Sequence, residues 1–266
     1  MTDSLHGHKA RKRFGQNFLE DDNVINNIVH AIAPQVGDNM VEIGPGLAAL
    51  TRFLLPACQK LHVVELDRDL AARLPNTLAG LGELHLHQAD ALNFDFAQLA
   101  SIEHPLRIVG NLPYNISTPL IFHLLSFSHI VKDMTFMLQK EVVDRLAGEP
   151  STADYGRLSV MVQYRCQVDW LLDVPPEAFN PPPKVQSAVV RLTPWQNSPY
   201  NCQNETLLQH IVSTAFNQRR KTLRNCLKGL AEDADFIAVD IDPSLRAEVL
   251  SVQQFVQLTN QLNRHV

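Results

Sequence analysis

The chain has little cysteine and no long apolar run, and each shortage removes a class of protein. Its four cysteines, Cys58, Cys166, Cys202 and Cys226, form no CxxC pair, so neither a zinc knuckle nor a disulfide framework is indicated. No apolar stretch approaches the ~20 residues of a membrane-crossing helix. The charged start MTDSLHGHKARKR has no secretory apolar region, so the expectation is a cytosolic protein with no membrane partner. The eleven histidines show no HxxxH and no His/Asp/Ser constellation; metal and hydrolytic chemistry find no support, and no metal is expected. What remains, at 266 residues with 45% apolar and 19% charged content, is a globular chain long enough for one large core and a smaller annex. Monomer is the default oligomeric state.

Acid is missing from two places. The net charge of −5 argues, as an average, against a polyanionic partner. Yet Lys9, Arg11, Lys12 and Arg13 lie between His6 and Leu19 with no acid among them. Arg219, Arg220, Lys221, Arg224 and Lys228 lie between Thr206 and Leu230, again with none. Such segregation suits a nucleic-acid-facing surface on an acidic enzyme, although a solvated face accounts for either cluster taken alone.

Periodicity supplies the fold class. Val24, Ile25, Ile28, Val29 and Ile32 recur at helical spacing behind the capping residues Asp21 and Asp22, and that helix ends before Pro34. Strands are predicted at Met40 to Ile43, Leu61 to Leu66, Leu84 to His87, Leu106 to Val109 and Met134 to Leu138. Helices are predicted at Leu47 to Leu55, Asp67 to Leu78, Thr118 to Leu125 and Lys140 to Leu146. This alternation implies an α/β fold, a mostly parallel sheet covered on both faces by helices. The runs Leu158 to Tyr164 and Val185 to Leu192 have no obvious long helix between them and are expected as an antiparallel ending. The expected organisation is a basic arm over 1–20, a catalytic domain over 21–193, a polar linker over 194–205 and a small helical domain over 206–266. The last carries two apolar stripes, Leu207 to Phe216 and Phe255 to Leu262.

The loop Glu42-Ile43-Gly44-Pro45-Gly46-Leu47-Ala48 follows the first of these strands and opens a helix, as a nucleotide-binding loop does. It is not GxGxxG, because Ala48 and Ala49 stand where a third glycine is sought. Glu65 ends the next strand, 21 residues after Gly44, where a carboxylate accepts from both ribose hydroxyls. Asp90 ends the third, where it can accept from an adenine amine. Each acid alone is an ordinary cap or turn residue; in register they mark the crevice of an open α/β sheet. Gly44, Gly46 and Glu65 by themselves also suit an NAD-dependent dehydrogenase.

The segment Gly110-Asn111-Leu112-Pro113-Tyr114-Asn115-Ile116 after the fourth strand carries more chemistry. An exocyclic adenine amine is a poor nucleophile because its lone pair is delocalised into the ring, so a site must polarise it. The Asn111 side-chain oxygen and the Leu112 carbonyl, fixed ahead of Pro113, can accept its two N–H hydrogens and stabilise charge developing on nitrogen. Tyr114 offers a flat face for the base. A strand-end turn with a packed tyrosine is the plainer account of the segment in isolation. Phe179 lies in a loop holding five of the 16 prolines, which would keep it stiffly near the sheet edge, and is a candidate second face of a base sandwich. Gln139 and Lys140 follow the fifth strand and are first-turn polar residues that border the expected crevice.

These blocks together resemble the S-adenosylmethionine-dependent rRNA adenine dimethyltransferases. The matched stretches are RKRFGQNFL (11–19), VEIGPG (41–46), ELD (65–67), GNLPYNISTPL (110–120), MLQKEVVDRL (137–146), PPPKVQSAVVRL (181–192) and FNQRRKTLRN (216–225), in order over essentially the whole chain. The bacterial small-subunit branch is the nearest likeness. The resemblance implies a Rossmann-like class I methyltransferase with a seven-stranded sheet and a C-terminal helical domain. It implies S-adenosylmethionine as methyl donor, and dimethylation of two adjacent adenosines in the 3′-terminal hairpin of 16S rRNA within the small ribosomal subunit, with a role in subunit biogenesis. It places Asn17 and Leu19 at the amino-acid end of the cofactor, Gly44 against it, Glu65 on the ribose, Asp90 on the adenine and Asn111 between cofactor and target base. A noncatalytic RNA-binding factor, or a methyltransferase of large-subunit rRNA or DNA, shares parts of this pattern.

Overall fold

The computed structural model describes residues 17–100 and 103–265, so Lys9, Arg11, Lys12 and Arg13 of the expected basic arm lie outside the described residues. In chain order the strands are β1 (Phe18–Leu19), β2 (Asn39–Ile43), β3 (Lys60–Glu65), β4 (Glu83–Gln88), β5 (Leu106–Asn111), β6 (Val131–Gln139), β7 (Cys166–Val174), β8 (Phe179–Asn180) and β9 (Ser187–Pro194). The helices are α1 (Asp22–Ile32), α2 (Thr51–Cys58), α3 (Arg68–Thr77), α4 (Ser117–Leu125), α5 (Lys140–Ala147), α6 (Arg157–Arg165), α7 (Glu205–Phe216), α8 (Leu223–Cys226), α9 (Asp233–Ile237) and α10 (Val252–Leu262). Asp21 caps α1 by accepting from the backbone N–H groups of Asn23 and Val24 at 2.8 and 3.1 Å, and Ala33 ends it in a left-handed turn.

Seven strands form one sheet in the order β4-β3-β2-β5-β6-β9-β7. β2 is parallel to β3 and β5, β3 to β4, and β5 to β6, whereas β9 is antiparallel to β6. The central strands are buried on both faces, as a helix-covered parallel sheet requires: Ile108, Met134, Phe136 and Leu138 are all inaccessible. Arg107 sits among them, its desolvation offset because Asp38, Asp133 and the carbonyls of Ile32 and Ala33 take its guanidinium donors. Strand order steps one way from β2 to β4 and the other way from β5 to β6. The crossover between β2 and β5 is therefore the switch point at which such sheets open a crevice.

One expected strand is a helix. Leu158 to Tyr164 lies in α6, and the antiparallel ending is made by β9. Ser159, Val160, Met161, Val162 and Tyr164 are all buried, so the helix is covered on most sides and its sequence shows no one-sided stripe. Ser159 Oγ also accepts from the Gly156 N–H at 3.0 Å, fixing the helix start.

The chain forms two compact units, one running through Val143 and adding Asp169–Pro194, the other comprising Asp144–Val168 and Trp195–Val266. The second unit is larger than the 206–266 expected, because it takes in α6 and the stretch expected as a linker. That stretch is bonded to its own unit: the Trp195 backbone N–H donates to Arg165 O and its indole to Gln163 O, both at 3.0 Å. The apolar interior of this unit includes Tyr155, Leu208, Ile211, Leu227, Phe236 and Phe255. Among the described residues no helix is long and apolar enough to cross a membrane.

Candidate active site

A cavity of about 370 Å³ opens in the first unit where β2, β3, β4 and β5 end, a size typical of small-molecule sites. The glycine loop forms one wall. Gly44 and Gly46 take positive φ (65° and 58°), and so does buried Ala48 (66°), one of the two alanines standing where a third glycine is sought. The left-handed turn at Ala48 delays the helix: Leu47 to Leu50 form the turn and α2 starts at Thr51. A Cβ on Gly46 would stand 3.4 Å from the Phe18 ring, so β1 lies directly against the loop.

Glu65 is 6% exposed and accepts from the backbone N–H groups of Asp67 at 2.8 Å and Gly46 at 3.3 Å. One carboxylate thus braces the loop and faces the cavity. Burial raises its pKa above the ordinary carboxylate value, and the two N–H donors oppose that rise. Asp90 accepts from the Leu92 N–H at 3.0 Å and the Asn93 amide at 3.1 Å, an Asx turn that fixes its carboxylate at the mouth of β4.

β5 delivers the third wall. At Gly110 a Cβ would meet Ile43 O at 2.6 Å, so only glycine lets β5 approach β2 so closely. Asn111 follows; its amide nitrogen donates to Asn17 O at 3.2 Å, which leaves Oδ1 as an acceptor. The Leu112 N–H donates to Met137 O at 3.1 Å, anchoring the turn to β6. Tyr114 is held at both ends: its carbonyl accepts from Ser117 Oγ at 3.1 Å and its hydroxyl bonds Ser187 Oγ at 2.7 Å. Burial pushes the phenol above its ordinary pKa.

The structure therefore gathers Asn17, Leu19, Gly44, Glu65, Asp90, Asn111, Leu112, Pro113 and Tyr114 around one cavity. It does not bring Phe179 there. That side chain is 4% exposed, stands opposite Leu19 across the β1/β8 pair and packs into the apolar core with Val174, Ala178 and Val189. The expected base sandwich with Tyr114 is not formed in this arrangement. Gln139 and Lys140 are also outside the lining; Lys140 Nζ lies 4.3 Å from the Trp170 ring centroid.

In the second unit the basic cluster is partly neutralised by acids from outside the acid-free stretch. Arg224 pairs with Asp233 at 2.6 Å, and Arg219 bonds Ala153 O at 2.8 Å and stands 3.6 Å from Glu248. Arg220 and Lys221 are exposed on the loop between α7 and α8.

Two lining or supporting residues are not evident as such in the sequence. Ser187 lies in the matched block PPPKVQSAVVRL without a pattern that gives it a role. Glu42 stands there only as the start of the glycine loop. It is 2% exposed, lines the cavity, and its Oε2 has no hydrogen-bond partner. A carboxylate inside the otherwise apolar end of the strand NMVEI is the available signal.

A family model for ribosomal RNA adenine dimethylase matches residues 7–264. The chain belongs to this family. It is 59% identical over 261 residues to the ribosomal RNA small subunit methyltransferase A of Saccharophagus degradans, covering 98% of this chain and 97% of that one. With the protein of the same name from Acinetobacter baylyi it shares 60% over 256 residues, 96% and 93% of the two chains. Among solved structures it is similar to a dimethyladenosine transferase from Plasmodium falciparum, with a TM-score of 0.81 and 25% identity over 93% of this chain and 98% of the other. The 23S rRNA methyltransferase ErmE shares the fold, with a TM-score of 0.71 and 23% identity over 93% of this chain and all of that one. The Rossmann-like methyltransferase fold expected from the sequence is thus the fold of the protein, and the protein is an rRNA adenine dimethyltransferase.

Proposed function

We propose that this chain moves methyl groups from S-adenosylmethionine to the N6 amines of two adjacent adenosines in the 3′-terminal hairpin of 16S rRNA, within the small ribosomal subunit and as a step of its biogenesis. In this reading it acts as a cytosolic monomer and uses no metal. The observation that carries the reading is that Asn111, Leu112 and Tyr114 share one cavity with the glycine loop, Glu65 and Asp90. A turn suited to polarising an amine borders a crevice suited to a nucleoside cofactor. The small-subunit choice is supported by the names of relatives about as long as this chain.

The residues fit the cofactor. Two N–H donors engage Glu65, and a carboxylate has about four acceptor positions, so it retains capacity for a ribose diol. Asp90 keeps acceptor capacity toward an adenine amine. When bound, S-adenosylmethionine supplies an electrophilic methyl group on a sulfonium. Asn111 Oδ1 and the Leu112 carbonyl accept the N–H hydrogens of the target amine and stabilise the positive charge that grows on its nitrogen. Tyr114 stacks the extruded base, and Ser187 fixes the ring's angle. The phenol, tied to Ser187 and raised above its ordinary pKa, is not a base for the amine. Positioning and fixed dipoles supply the acceleration, and the proton of the methylated amine passes to solvent. Arg219, Arg220, Lys221 and Arg224, with the four basic residues of the arm, grip RNA phosphates.

The test is incubation of unmethylated small subunits, and in parallel of large subunits, with labelled S-adenosylmethionine, followed by nucleoside analysis of each. Dimethyladenosine at two adjacent positions is expected. Label confined to large-subunit RNA would overturn the substrate, and no label in either would overturn the activity.

A further inference from the structure

Outward from the tyrosine that receives the target base, the protein carries a second flat side chain. Ser187, which holds the Tyr114 hydroxyl at 2.7 Å, is the register partner of Gln139 at the end of β6. One chain step further on each side, roughly 3.8 Å, the Lys140 N–H donates to Gln186 O at 2.9 Å. Lys140 then carries its ammonium to 4.3 Å from the centroid of the Trp170 ring, on β7 at the edge of the sheet. All of these residues belong to the first unit. Leu171 and Leu172, next along β7, pack against the core, whereas Trp170 is 36% exposed. Among the described residues it is the one aromatic side chain of the exposed large apolar ones.

A charge at a sheet edge also keeps strands from pairing edge to edge, but this lysine comes from α5 and not from the edge strand. An exposed ring beside a cation suits a single-stranded nucleotide, whose base offers a π face and whose phosphate offers a negative charge. The substrate supplies a nucleotide in need of such a place. When one of two adjacent adenosines is extruded onto Tyr114, the other loses a stacking neighbour, and the backbone between them must cross the rim of the cavity. We propose that Trp170 and Lys140 form a second platform at that rim: the base of the companion adenosine stacks on the indole, and a phosphate of the linking backbone takes the Lys140 ammonium. The platform holds the companion while its neighbour is methylated and keeps the RNA engaged while the two exchange, so both adenosines are completed in one encounter. The proposal rests on the adjacent-adenosine reading above and adds to it a site for the nucleotide that is not reacting.

Unmethylated small subunits and labelled S-adenosylmethionine test it. Hydroxyl-radical labelling of the wild-type protein, read by mass spectrometry, should show Trp170 protected in the subunit complex. An indole labelled as fast in the complex as in the free protein would overturn the platform, with no variant needed. Trp170→Ala should weaken subunit binding about tenfold, within the range of one lost base–aromatic stack, and leave affinity for S-adenosylhomocysteine unchanged. Its product, resolved by position in the RNA, should shift from two dimethylated adenosines to one dimethylated and one unmodified, and Trp170→Phe should restore most of both effects. Lys140→Gln should flatten the salt dependence of binding by roughly 0.7 in log K per log salt, the value for one single-strand phosphate contact. Protection of Trp170 together with a wild-type product ratio in Trp170→Ala would assign the indole to a protein of the subunit and overturn the proposal. Wild-type protein that labels neither adenosine would overturn the substrate reading, and this inference with it. Wild-type protein that labels both, with Trp170→Ala indistinguishable from it, would overturn this inference alone.

Discussion

Replacing Glu42 by glutamine should make the cofactor-free protein more stable, and increasingly so as pH rises. The glutamine has nearly the same shape but cannot ionise. In the folded state the acid's pKa stands at about 8 against 4.5 for the free group. Between those values the folded protein keeps a proton that the unfolded chain has lost. Stability is therefore fully present below about pH 4.5 and falls as pH rises through 8. Integrating the linkage gives a loss of roughly 1 kcal/mol at pH 5, 3 kcal/mol at pH 7 and 4 kcal/mol at pH 8, orders of magnitude set by ~1.4 kcal/mol per pKa unit. Glu65, also raised by burial, is common to both proteins and drops out of their difference to first order. The two tryptophans allow the measurement to be localised, since Trp170 lies in the first unit and Trp195 in the second. In a Trp195→Phe background, urea unfolding followed by Trp170 fluorescence at pH 5, 6, 7 and 8 reports the unit that holds Glu42. The advantage of the glutamine variant should grow by roughly 3 kcal/mol from pH 5 to pH 8. A difference that stays flat within about 0.5 kcal/mol, the usual spread of surface substitutions, would mean that Glu42 is not held neutral by its burial.

Asn111→Ala should lower single-turnover methylation at saturating cofactor by roughly a hundredfold, comparable to the loss of one oxyanion-hole donor, because the acceptor acts on charge that develops in the transition state; a change within threefold would remove that role. Tyr114→Phe and Ser187→Ala should each weaken turnover modestly and together cost less than their sum, with a coupling of about 1 kcal/mol in a double-mutant cycle, since each breaks the same 2.7 Å bond; strict additivity would deny that Ser187 positions the ring. Neutralising Arg220 and Lys221 should flatten the salt dependence of small-subunit binding by roughly 0.7 to 0.9 in log K per log salt for each phosphate no longer neutralised, and by more than neutralising Arg219 and Arg224, whose charges are already engaged by Glu248 and Asp233. Filter binding across a salt series measures both slopes, and equal slopes would show that the internal pairs do not decide which cations reach RNA.

The sheet is legible in the sequence because its strands are short, apolar and separated by one-sided helices, and the cavity is legible because its acids and its amide stand at strand ends. α6 is hidden by its own burial: a helix apolar on most sides has no period to read. Prolines around Phe179 imply a stiff loop near the site, but a stiff loop does not say which way a ring points, and here it points into the core. The basic cluster looks unopposed in sequence because its partners, Asp233 for Arg224 and Glu248 for Arg219, lie outside the acid-free stretch and reach it only through the fold of the unit. Glu42 is inconspicuous for a related reason. Sequence gives its position in the strand, while the lack of any partner for its oxygen exists only once Val63, Val109 and Thr51 are packed around it.

The pairing of β1 with β8 sets a schedule for how the molecule can be made. Leu19 lies opposite Phe179, so the strip of chain that closes the cavity beside the glycine loop finds its partner 160 positions later. At roughly 5–20 residues per second, synthesis puts about 10–30 s between the two strands. Throughout that interval the nascent protein holds a glycine loop and a growing parallel sheet but lacks one wall of the cavity. Among the described residues the pairing is as non-local as any the first unit makes, and such pairings are the slow ones to form. A nucleoside ligand cannot hasten the early stages, and its stabilisation arrives only at the end, when β8 locks β1 in place.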